Sequence, residues 1–122
     1  MKKLLPALFL GLACAVGSTL AAAETAPASV IHVVTVAWKK DTTPAQIQAA
    51  LDGARALPAA YPGITRVWTW TIKAQGDRTH VIAMEFKDEA ALKNYTDSPA
   101  QKEWYKVYLD IRDHSTTFDV TN

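Results

Sequence analysis

The stretch ITRVWTWTIKAQGDRTHVIAMEF, residues 64–86, decides the fold. Two runs rich in β-branched and aromatic residues face each other across the polar segment Ala74-Gln75-Gly76-Asp77, which predicts a β-hairpin. Side chains along a strand alternate between its two faces. Even positions carry Ile64, Arg66, Trp68, Trp70 and Ile72, then Arg78, His80, Ile82, Met84 and Phe86. Odd positions carry Thr65, Val67, Thr69 and Thr71, then Thr79, Val81, Ala83 and Glu85. One face is bulky and the other short and β-branched, and neither suits water. Such a sheet needs two covers, of which one small chain supplies one from its own helices. The other is expected from a second copy, making a homodimer through the odd-numbered sheet face.

Outward from the hairpin, Val30 to Trp38 alternates between two apolar sets, as a central strand covered on both sides does. Thr43-Pro44-Ala45-Gln46 combines an N-cap, a first-turn proline and a capping-box glutamine. It opens a helix striped by Ile47, Ala50, Leu51, Ala54 and Leu57, weakened at Gly53 by roughly 1 kcal/mol relative to alanine, and stopped by Pro58 and Tyr61-Pro62-Gly63. Beyond the hairpin, Asp88-Glu89 begins a short helix with Leu92 and Tyr95 inward. Ser98-Pro99-Ala100-Gln101 repeats the capping pattern before a helix striped by Trp104, Val107, Tyr108 and Ile111, and Ser115 to Thr121 closes as a strand. With right-handed crossovers, the βαββαβ order gives an α+β, ferredoxin-like fold: a four-stranded antiparallel sheet with helices on one face.

Met1-Lys2-Lys3, the apolar run Leu4 to Val16 and the small residues up to Ala23 have the form of a secretory signal peptide, 1–23. An uncleaved anchor and a lipidated Cys14 are the alternative readings; Pro6, Gly11 and Gly17 interrupt the first, and the second lacks the apolar residue three places before the cysteine. Cleavage leaves 99 residues (122 less 23), with 11 basic (13 less Lys2 and Lys3) against 12 acidic side chains and no cysteine. Residues 24–29 read as a disordered lead-in and 30–122 as one domain, periplasmic or secreted and free of the membrane after cleavage. Without a basic excess or a Lys/Arg block, nucleic acid is not expected as a partner.

His32-Val33-Val34-Thr35-Val36-Ala37-Trp38-Lys39, Leu57-Pro58, Pro62-Gly63, Thr79 to Phe86, Tyr95 to Gln101 and Phe118-Asp119-Val120 together resemble the stress-responsive A/B barrel (Dabb) family, over nearly all of the mature chain. The resemblance implies a dimeric α/β barrel of two facing sheets, with a cavity between each sheet and its own helices. In the plant polyketide cyclases of that family, a histidine in an HPAH-like segment acts as acid and base, helped by a tyrosine on the first helix. Here that segment is Ser98-Pro99-Ala100-Gln101, without either imidazole, and Ala54 falls at or near the tyrosine position. Tyr95 matches the tyrosine just upstream of the segment, and His32 and His80 match histidines of the first and third strands.

Acid/base work near neutral pH favours histidine. The candidate catalytic residues are therefore His32, His80 and Tyr95, the two histidines sharing the even-numbered face with no carboxylate there to orient them. Gln101 cannot exchange a proton and reads as a helix cap. The ligand pocket expected between sheet and helices comprises His32, Val34, Val36, Trp68, Trp70, His80, Ile82, Met84, Tyr95, Trp104 and Tyr108. No metal set and no cofactor is expected; haem has no support beyond a histidine in a cavity. The sequence points to a non-catalytic, exported stress-responsive A/B barrel protein binding a small hydrophobic or aromatic ligand. The alternative is a polyketide-cyclase-like or monooxygenase-like enzyme.

Overall fold

A computed structural model describes residues 28–121. The leader, 1–23, and most of the lead-in, 24–29, lie outside them. The elements run β1 Val30–Trp38, α1 Pro44–Ala60, β2 Ile64–Gln75, β3 Arg78–Phe86, α2 Glu89–Tyr95, α3 Pro99–Tyr108 and β4 Arg112–Val120. The strands form one antiparallel sheet in the order β2-β3-β1-β4. The ferredoxin-like arrangement expected from the sequence is the one observed.

Local chemistry fixes the helix starts. Thr43 and Gln46 close a reciprocal capping box around α1, while the Asp88 carboxylate and the Ser98 hydroxyl accept the first free amides of α2 and α3. Pro58 does not stop α1, contrary to expectation. It sits in the last turn, where only one amide bond is lost, and Tyr61 closes the helix by donating its amide to Leu57. Three further boundaries differ. The hairpin turn shrinks to Gly76-Asp77, with Gly76 at φ 69° and Gln75 paired to Arg78. α3 ends at Tyr108, so Ile111 is buried beyond it, and β4 begins at Arg112.

The core lies between the sheet and the helices: Val36, Ile64, Ile82 and Phe86 from the strands meet Leu51, Ala54 and Leu57 of α1 and Trp104 of α3. The Trp104 indole donates its N–H to the Ala50 carbonyl at 2.9 Å, tying α3 to α1. Gly53 makes room for it, since a Cβ there would stand 2.9 Å from Trp104 Cδ1. A residue that weakens the isolated helix thus permits the close approach of two helices.

The alternation assumed for β2 fails at one place. Ile64 pairs with Phe86 but Arg66 pairs with Glu85, leaving Thr65 as an extra residue. Such a bulge sends every following side chain to the opposite face. Val67 and Thr69 therefore turn toward the helices opposite Met84 and Ile82, and Thr69 is only 6% exposed. Trp68 and Trp70 turn to the open face, where they are 42% and 75% exposed. That face also carries Ile31, Val33 and Val81, with Phe118 and Val120 of β4 opposite Val33 and Ile31. The uncovered surface is thus more aromatic than the odd-numbered pattern implied. Among the described residues, no helix is long and apolar enough to cross a membrane.

Candidate functional site

A cleft of about 270 Å³ opens between the sheet and the α2–α3 pair. Its floor is made by His32 and Val34 of β1, Met84 of β3, and Ser115 and Thr117 of β4. Leu92 and Tyr95 of α2 and Trp104, Tyr105 and Tyr108 of α3 form the facing wall, and Arg112 lies at the start of β4. Six of the expected pocket residues line this cleft: His32, Val34, Met84, Tyr95, Trp104 and Tyr108. Val36 and Ile82 do not, being fully buried in the core behind it. Trp68 and Trp70 do not either, because the Thr65 bulge carries them to the other face.

His32 and His80 share the helix-facing side of the sheet but do not come together. His32 lies opposite Met84, whereas His80 lies opposite Val36, four residues further along β1, or about 13 Å at strand spacing. The Trp38 indole donates to Nδ1 of His80 at 2.9 Å. An indole only donates, so that nitrogen is an acceptor and a neutral ring carries its proton on Nε2. Burial lowers the His80 pKa, favouring the neutral form. His80 is a packed, hydrogen-bonded histidine beside Leu51 and Thr71, outside the cleft.

His32 has the orienting carboxylate that its own strand and the hairpin lack. Nδ1 of His32 lies 2.6 Å from Oδ1 of Asp119, its direct partner across the β1–β4 ladder. A carboxylate accepts, so the neutral imidazole carries its proton on Nδ1 and keeps Nε2 free to take one. The β1–β4 register would have revealed Asp119, but register is not written in either strand alone. Arg112, Tyr105, Ser115 and Thr117 also escaped the sequence reading, the first because it lies before the expected start of the closing strand.

The cleft is rich in donors without acceptors. The hydroxyl of Tyr95 and Nε of Arg112 are buried and make no hydrogen bond, while the buried Tyr108 hydroxyl is influenced by Ser115 and Arg112. Burial raises the pKa of Tyr95, Tyr105 and Tyr108, so the phenols keep their protons. Tyr108 stacks on Trp104, with ring centres 4.4 Å apart and planes 10° from parallel. Gln101, at the position of the cyclase histidine, is committed elsewhere. Its carbonyl accepts from the Asp97 amide at 2.7 Å and its amide donates to the Tyr105 hydroxyl at 3.1 Å. Asp97, at φ 63°, is thereby held in the left-handed conformation that opens the turn into α3. The nearby helix residue Ala54 is fully buried and offers no hydroxyl.

One further cluster lies at the end of the sheet. Asp77, Asp113 and His114 place one ligand atom each within 4.8 Å of one another. His114 bridges both carboxylates, and the Asp113 carboxylate, with Asp77, raises its pKa. The three side chains hydrogen-bond to one another across the sheet end.

The model of the stress responsive A/B barrel domain family matches residues 30–122. The chain belongs to this family. Three solved structures illustrate the family fold. The hydroxynitrile lyase of Passiflora edulis superposes with a TM-score of 0.71 at 18% identity, over 80% of this chain and 95% of that one. The protein At3g17210 of Arabidopsis thaliana gives 0.70 at 21%, over 76% and 94%. A dimeric ferredoxin-like protein of unknown function from Thermobifida fusca gives 0.67 at 16%, over 83% and 97%. No functionally curated protein matches the chain. At these identities the likeness shows the ferredoxin-like fold alone and leaves the chemistry to the site itself.

Proposed function

We propose that the protein is an exported homodimer that binds a small molecule in the cleft between its sheet and the α2–α3 pair. The observation that carries this reading is the pair of unpartnered buried donors, Tyr95 Oη and Arg112 Nε, on residues lining one cleft. An unsatisfied buried polar group costs about 1–3 kcal/mol, and a ligand bearing acceptors removes that cost. Ligand pockets run from roughly 300 to 1,000 Å³, so a cleft of 270 Å³ suits a compact ligand of one or two rings. The dimer is supported by the open face, where Trp68, Trp70, Phe118 and Val120 stand exposed on one side of the sheet, and by the dimeric relative from T. fusca. Export rests on the leader sequence.

Tryptophan fluorescence during titration with small aromatic compounds tests binding. A saturable change that Tyr95→Phe weakens supports it, and no response to any compound overturns it.

The His32–Asp119 pair favours a second reading, proton transfer on a bound ligand by His32 Nε2 with the Tyr95 hydroxyl nearby in the same cleft. His80, held by Trp38, takes no part. If turnover is found, His32→Ala should lower it roughly a hundredfold or more, while His80→Gln should leave it near the parent value. Equal losses in both variants would contradict this assignment.

A further inference from the structure

Four arginines fall among the described residues, and three of them hold a carboxylate: Arg55 pairs with Asp52, Arg66 with Glu85 and Arg78 with Asp77. Arg112 differs. None of the ion pairs among the described residues includes it. Its contacts are neutral ones: a long bond from Nη1 to the Ser115 hydroxyl at 3.4 Å, and Tyr108, whose ring centre lies 5.6 Å from Cζ and whose hydroxyl it also influences. Its Nε is buried without an acceptor. Asp119, the carboxylate that β4 directs to the same side of the sheet, is taken up by His32.

A guanidinium presents a planar fork of donors that fits a carboxylate through two parallel bonds, and such charge-assisted bonds are about twice as strong as neutral ones. Beside Arg112 stand Tyr108 and Trp104, whose rings stack on each other at the cleft wall. Tyr105 completes the aromatic wall, and the charge of Arg112 acts on both Tyr105 and Tyr108, partly offsetting the rise that burial imposes on their pKa values. Cation, phenolic donors and flat apolar wall thus converge on one small space.

Resting on the reading that this cleft binds a small molecule, we infer that its ligand is a small aromatic carboxylate: the carboxylate takes the Arg112 guanidinium, and the ring lies along the aromatic wall of α3. The interaction assigns Arg112 as the residue that selects an acid over its neutral isostere. It also explains why an arginine is kept without a protein carboxylate at the sheet-to-helix boundary.

Isothermal titration of the purified protein with cinnamate and benzoate, against cinnamamide and benzamide, tests the assignment. The acids should bind about tenfold or more tightly than the amides, as expected for a charge-assisted pair. Arg112→Gln should abolish that preference, Arg112→Lys should retain part of it, and thermal unfolding should show that both variants fold. Equal binding of acids and amides, or a preference that survives in folded Arg112→Gln, would overturn the carboxylate assignment and leave the binding cleft standing. Binding of indole without any acid or amide would do the same. No saturable binding of any of these five compounds would overturn both.

Discussion

Nδ1 of His32 lies 2.6 Å from Oδ1 of Asp119, although 87 positions separate the two along the chain. The contact exists because β4 returns antiparallel beside β1 and brings the two residues directly opposite. Ordinary ladder geometry thus gives the cleft a histidine of fixed ring orientation and a defined proton position.

In its neutral form His32 should therefore carry its proton on Nδ1, and His80 should carry its proton on Nε2. Long-range nitrogen–proton correlation spectra distinguish these tautomers. Asp119→Asn should leave His32 as a tautomer mixture while His80 is unchanged. Identical spectra for parent and variant would show that Asp119 does not orient the ring.

Gly53 and Trp104 should be energetically coupled. On helix propensity alone Gly53→Ala would stabilise by about 1 kcal/mol, but the added Cβ stands 2.9 Å from an indole fixed by its bond to Ala50. The substitution should be net destabilising, by about 1 kcal/mol, as overpacking is. In a Trp104→Phe background, where the indole nitrogen and its bond are lost, Gly53→Ala should become neutral or favourable. A double-mutant cycle in urea measures this coupling, and simple additivity would refute it.

Two histidines should make stability depend on pH in opposite directions. Burial lowers the His80 pKa, so the folded state resists its protonation. Stability from this source is whole above the unfolded value of about 6.5 and falls as pH drops below it. His114 is the reverse: its raised pKa favours the folded state below about 6.5, and that contribution fades as pH rises through the raised value. Unfolding midpoints compared between mildly acidic and neutral pH should fall less in His80→Gln than in the parent, and more in His114→Gln. The same pH slope in all three proteins would contradict both assignments.

The open sheet face should be a subunit interface. Replacing Trp70, 75% exposed, together with Phe118, 50% exposed, by glutamate should convert a dimer to a folded monomer, because like charges buried against their own copies cost several kcal/mol. Sedimentation equilibrium with circular dichroism checks both halves of this statement. A parent protein that is itself monomeric at micromolar concentration would remove the interface.

The features legible in the sequence were those carried by neighbouring residues. Thr43 with Gln46 and Ser98 with Pro99 announced two helix starts, Asp88-Glu89 the third, and the two-sided apolar run from Val30 to Trp38 announced the central strand. Family membership was legible too, in segments such as Tyr95 to Gln101. What stayed hidden depends on pairing between distant strands. The extra residue at Thr65 changes no local pattern, yet it moves Trp68 and Trp70 from the expected pocket to the open face. Asp119 reaches His32 only once the register of β4 is set, and Arg112 meets Tyr108 across the turn that ends α3, a boundary the sequence pattern places further on. The site was therefore half visible: its aromatic wall could be read from the period of α3, whereas its charged and proton-bearing partners could not.

The binding cleft is tested most directly by backbone and side-chain NMR of the protein during titration with cinnamate. The account predicts saturable shifts concentrated at Tyr95, Tyr105, Tyr108 and Arg112, with the signals of Trp68 and Trp70 on the far side of the sheet unmoved. Shifts confined to Trp68 and Trp70 would contradict it, as would the absence of saturating shifts at the cleft with both cinnamate and indole.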